Sequence, residues 1–172
     1  MGLKMSVKAA VVALVVLLLL PGVSHAITVD QRTLVGLKGV QVLVEDMKPE
    51  AERLGLTKAQ IQTDVELRLR KAGVRVLTDK ERLRTPGTPY LYVNVNTSIK
   101  PGSTVCAHST SVSLNELVAL ARGFQTFGVI WSSGSVGSVE TQKIDLLREV
   151  VGAHIDKFIN DYRAANPKRQ GG

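Results

Sequence analysis

Between Ile144 and Tyr162 the apolar residues Ile144, Leu147, Val151, Ile155, Phe158 and Tyr162 recur at steps of three or four. That spacing lines one side of a helix. No proline falls between Pro101 and Pro167, so the pattern predicts a long helix ending near Asn166. An apolar stripe of this length must be buried against something. Just upstream, Val129, Ile130 and Trp131 form an apolar run, followed by Ser132-Ser133-Gly134-Ser135-Val136-Gly137. These read as a strand and then a glycine-permitted corner leading into the helix. The stripe is therefore expected to cover a sheet.

The other end of the chain argues for export. Lys4 and Lys8 precede an unbroken apolar run from Ala9 to Leu20, Pro21 and Gly22 break it, and Ser24-His25-Ala26 matches a small-x-small cleavage site. The run is shorter than the ~20 residues needed to span a bilayer. Residues 1–26 are thus expected to be a cleaved signal peptide, leaving 27–167 as one domain and 168–172 as a disordered tail. No cysteine lies next to the expected cut, which argues against a lipid-anchored form. The signal carries two lysines and no acids, so the formal net charge of +7 becomes 7 − 2 = +5 after cleavage. The expected location is periplasmic or secreted. Cys106 is the only cysteine, so no intramolecular disulfide can form in such a compartment, and it reads as a small buried strand residue.

Taken in order, Ile27 to Gly36 reads as an extended lead-in. Val40, Val42 and Val44 alternate as a first strand, and Pro49 to Leu54 forms a short helical turn ended by Gly55. Thr57 and Gln60 have the spacing of a capping box, with Leu56 and Ile61 as its hydrophobic staple. A helix should start there and run through Ile61, Val65, Leu69 and Ala72 to Gly73. Val74 to Leu77 reads as a short strand. The charged run Asp79-Lys80-Glu81-Arg82 and the breakers Pro86, Gly87 and Pro89 follow. In Tyr90 to Ile99, Leu91, Val93 and Val95 alternate with Tyr92, Asn94 and Asn96, as in a strand with one wet face. Cys106, His108, Thr110, Val112 and Leu114 share one face of the next strand. Asn115 to Arg122 either continues it or begins a short helix, and Phe124 to Trp131 is the last strand. The fold class is α+β: a mostly antiparallel sheet of about five strands with two main helices on one face.

Motifs for chemistry are sparse. No metal ligands share a usable spacing, no glycine-serine nucleophile elbow is present, and no phosphate-binding loop is complete. Neither a cofactor nor a metal is expected. Glu45 and Asp46 are the adjacent acids to test for hydrolysis by dispersed carboxylates, and pairing His108 with Ser109 or Ser111 for nucleophilic catalysis has no support beyond proximity. Arg68, Arg70, Lys71, Arg75, Arg82 and Arg84 form a basic run that could meet anionic lipid or wall polymer. Nucleic acid is not expected, because no aromatics interleave with them.

Trp131 with its serine-glycine corner, Phe158-Ile159-Asn160-Asp161-Tyr162 and Asn166-Pro167 resemble a family of small exported bacterial proteins of unknown function. Val42-Leu43-Val44-Glu45-Asp46, Leu56-Thr57 and the run from Val65 to Leu77 extend that resemblance over nearly the whole mature chain. The element order is also similar, at fold level, to the amino-terminal domain of the Tol-system propeller protein. The resemblance carries no catalytic residue. The expected function is non-enzymatic binding of an envelope protein. Its candidate surface is the face bearing Tyr90, Tyr92, Asn94 and Asn96, and an exposed edge strand accepting a partner strand is the second mechanism. The alternatives are a periplasmic hydrolase and a binder of anionic envelope surfaces.

Overall fold

A computed structural model describes residues 29–167. The expected signal peptide and the tail from residue 168 lie outside the described residues. After a one-turn helix, α1 (Val29–Arg32), the chain forms β1 (Gln41–Val44) and the short helix α2 (Pro49–Arg53). Helix α3 (Lys58–Lys71) begins as its capping box predicts. The Gln60 backbone N–H donates to Thr57 Oγ1 at 3.3 Å, and the Thr57 N–H donates to Gln60 Oε1 at 3.0 Å. Gly73 ends it with a φ of +81°, the left-handed conformation that favours glycine.

The charged run after Leu77 is also helical. Thr78 and Glu81 form a second capping box at the start of α4 (Asp79–Arg84). Three long strands follow, β2 (Tyr90–Ile99), β3 (Val105–Ala119) and β4 (Gln125–Glu140), and then α5 (Leu146–Ala165). The sheet order is β1-β2-β3-β4, parallel between β1 and β2 and antiparallel elsewhere.

Four expectations need correction. The lead-in expected to be extended contains α1 and a turn at 33–36 instead. The sheet has four strands where about five were expected, and it is mostly antiparallel with one parallel pair, β1–β2. Val74 to Leu77 is reduced to a single parallel bridge, Val40 to Val76, because Thr78 begins capping α4 at once. The serine-glycine corner at 132–138 is not a corner. It lies inside β4, held in register with β3 from Val105↔Glu140 to Leu114↔Trp131. Its glycines serve close approach. A Cβ on Gly137 would sit 3.0 Å from His108 Nε2, and one on Gly134 would sit 3.0 Å from the Thr110 carbonyl oxygen.

Helices α3 and α5 cover one face of the sheet. Beneath them lie Val42, Val44, Leu91, Val93, Val95, Cys106, Val112, Leu114 and Trp131, all buried. From above, Ile61, Val65, Leu69, Leu147, Val151, Ile155 and Phe158 complete the core. Each large apolar side chain buried in this way contributes about 1.5–3 kcal/mol. Arg68 lies across the helix pair, bonding Glu149 at 3.2 Å and Asp156 at 3.0 Å. A Cβ on Gly152 would collide with its guanidinium.

The residues that carried the family resemblance at the C-terminal end act as a clasp. Asp161 accepts hydrogen bonds from Trp131 Nε1 at 2.9 Å, Lys157 Nζ at 2.7 Å and Gln31 Nε2 at 3.0 Å. Asn166 receives the Gly36 N–H at 2.8 Å and donates to the Leu34 carbonyl at 2.8 Å. Helix α5 therefore fixes both β4 and the segment leading to β1.

Candidate functional site

With both long helices on one side, strand alternation assigns the opposite face of the sheet to the remaining side chains. Register places them in cross-strand rows. Tyr92 stands beside Ser113 and Ser132, Asn94 beside Ser111 and Gly134, and Asn96 beside Ser109 and Val136. Leu43 on β1 adjoins Tyr92. The face is thus an array of hydroxyls and amides, bordered by a few apolar residues.

Glu45, just beyond β1, organises one margin of this array. Tyr92 Oη donates to its carboxylate at 2.5 Å, the Asn94 amide nitrogen donates to the same oxygen, and Asn96 Nδ2 donates to Asn94 Oδ1 at 2.6 Å. The bond to Glu45 pushes the Tyr92 phenol up to about 12, because a nearby carboxylate opposes formation of phenolate. Asp46 turns the other way and pairs with Lys58 at 2.7 Å. The two adjacent acids therefore diverge instead of converging on one reacting atom.

All four expected surface residues, Tyr90, Tyr92, Asn94 and Asn96, lie on this uncovered face. Tyr90 sits at its end, edge-to-face with Phe127 at 5.6 Å and capped by the Arg82 guanidinium at 5.8 Å. The basic run is dispersed. Arg68 joins the helices, Arg70 pairs with Glu66 at 2.7 Å, Arg75 pairs with Glu81 at 2.5 Å, and Arg82 also donates to the Thr88 carbonyl at 3.3 Å. Lys71 belongs to α3 and Arg84 to α4. A cleft of about 340 Å³ between α3 and α5 is lined by Asp64, Leu67, Arg68, Lys71, Arg148 and Glu149. Arg148 is tied to Asp64 there at 2.7 Å, so charges of both signs share the cleft.

The serine-histidine contact that exists is not the pairing of His108 with Ser109 or Ser111. His108 is buried against Thr110, 3.2 Å from its hydroxyl, whereas Ser109 and Ser111 are on the other face. Instead, His154 of α5 meets Ser133 Oγ through Nδ1 at 2.8 Å and Ser135 Oγ through Nε2 at 3.0 Å. Alternation of Ser133 and Ser135 was the available signal, hidden by reading that stretch as a corner. Desolvation lowers the pKa of His154, favouring neutral imidazole. Both ring nitrogens are occupied by hydroxyls, an arrangement that joins helix to sheet. A hydrolytic triad would instead reserve one nitrogen for an orienting carboxylate. Burial pushes the Cys106 thiol up, away from the reactive thiolate.

Among the described residues, no group of three or more His, Cys, Asp or Glu side chains could hold a metal ion, and no helix is long and apolar enough to cross a membrane. No protein-family model matches the chain, and no curated protein matches it. Solved structures give distant likenesses. One is the PelC dodecamer from Paraburkholderia phytofirmans, at 15% identity and TM-score 0.40, covering 73% of this chain and 89% of that one. Another is a candidate lipoprotein from Caulobacter crescentus CB15, at 12% identity and TM-score 0.37, covering 83% and 98%. The chain is similar to these two in part of its arrangement, and neither likeness assigns it an activity.

Proposed function

We propose that this is an exported, non-enzymatic binding module of the cell envelope that takes a protein partner on the uncovered sheet face. The observation carrying the reading is the cross-strand array of Tyr92, Asn94, Asn96, Ser109, Ser111, Ser113 and Ser132 on the side away from both helices. Such groups offer directional donors and acceptors without a general acid–base pair, and tyrosine is favoured at protein interfaces. The envelope setting rests on the expected signal peptide and on the resemblance to small exported bacterial proteins.

Replacing Tyr92 and Asn94 together by Ala tests the reading. Both side chains lie outside the core, so folding should be nearly unchanged, while capture of a specific envelope partner by the purified chain should be lost. A partner retained at full strength by a folded double variant would reject this surface.

A further inference from the structure

The β3–β4 hairpin bears an apolar patch that the proposed protein-binding array does not use. Strand β2 ends its pairing at Tyr90↔Asn115, but β3 and β4 continue together to Ala119↔Gln125. The last part is therefore a two-stranded ribbon projecting beyond the sheet. At Ile130 the register slips, so that Leu114 pairs with Trp131 while Asn115 pairs with Val129. Without that bulge, Phe127 and Val129 would share the covered face with Trp131. The extra residue reverses the alternation and aims them outward, beside Leu117 and Tyr90. Phe127 is 48% exposed, Val129 61%, and Phe124 in the turn 67%. Of the three phenylalanines in the chain, only Phe158 is buried.

An exposed apolar tip with aromatic side chains suits the interfacial region of a bilayer, where aromatic residues accumulate. Charge selects the lipid. From Leu117 to Val139 the only charged residue is Arg122 in the turn, and the Arg82 guanidinium sits over Tyr90 at the base of the patch. Glu116, the nearest carboxylate along β3, alternates to the other side of the ribbon and lies against Gly87. We propose that the hairpin tip, Leu117 to Val129, inserts peripherally into an anionic lipid surface, with Phe124 and Phe127 in the acyl region and Arg122 at the headgroups. The patch lies at the end of the same sheet face as the partner array, beyond Tyr92 and Ser113, so insertion and partner capture are tested with separate variants.

A local probe tests this on the full chain. Ala121→Cys, at an exposed turn position, is labelled with an environment-sensitive fluorophore, while fully buried Cys106 should stay unmodified, as checked on the parent chain. Adding phosphatidylcholine vesicles that contain phosphatidylglycerol should shift the emission to shorter wavelength, and brominated acyl chains should quench it. Phe124→Ser with Phe127→Ser should weaken insertion by at least about a hundredfold, the lower end of the scale expected for two benzyl groups withdrawn from hydrocarbon. Arg122→Gln should narrow the preference for anionic over neutral vesicles. An emission spectrum unmoved by vesicles would overturn the proposal. So would a blue shift that grows with protein concentration without lipid, since the patch would then be covered by a second copy of the chain.

Discussion

Glu45 is the residue on which the uncovered face turns. It accepts hydrogen bonds from both Tyr92 and Asn94, so the tyrosine is held in place before any partner arrives. Tyr92 should resist ionisation until about pH 12, and its contribution to stability, present below the ordinary phenol range, should fade as pH rises through that value. Ultraviolet titration of Glu45→Ala should return this phenol toward ordinary behaviour, and an unchanged late titration would show that the carboxylate is not the cause. Residue by residue, the alternation of Leu91, Val93 and Val95 with Tyr92, Asn94 and Asn96 was legible because a strand with one wet face writes its period into the sequence. The partners of those polar residues were not. Glu45 reaches Tyr92 only because β1 pairs with β2 in parallel, and a contact between positions so far apart leaves no local pattern.

Among the elements, α3 and α5 were readable from their stripes and from the Thr57 capping box. The short helix α4 was not, although Thr78 and Glu81 carry the same capping grammar; charge and nearby prolines masked it. Strand β4 was misread past Trp131 because serine and glycine are common in turns. Here the glycines sit where a Cβ would come within 3.0 Å of the Thr110 carbonyl oxygen and of the His108 ring. Helix α5 also carries a clasp that makes a sharp prediction. Burial pushes the Asp161 carboxyl up, but the bonds from Lys157, Gln31 and Trp131 together outweigh it and hold it below its usual value. Its stabilising effect should therefore be present above the ordinary carboxylate range and be lost as pH falls below that range through the lowered value of the folded state. Asp161→Ala should cost about 1–3 kcal/mol, the penalty for leaving Trp131 Nε1 without its acceptor. It should also speed amide exchange over residues 31–37 at neutral pH. Exchange as slow as in the parent chain would mean that the clasp does not hold that segment.

At the scale of the whole molecule, two long helices cover one face of a four-stranded sheet, and the other face presents hydroxyls and amides with the Glu45 carboxylate at its margin. Fold class was legible because apolar stripes and alternations report which surfaces must be buried. A binding role for the wet face leaves no such trace, since hydroxyls and amides that meet a partner look the same in sequence as those that face only water. Site-specific cross-linking in the producing cells separates these cases most directly. With benzoylphenylalanine in place of Ser111, at the centre of the uncovered face, illumination should give a discrete adduct with an envelope protein. The same group in place of Asn160, exposed on α5, should give none. Adducts from Asn160 alone, or no adduct from Ser111, would contradict the claim that this protein works through its bare sheet.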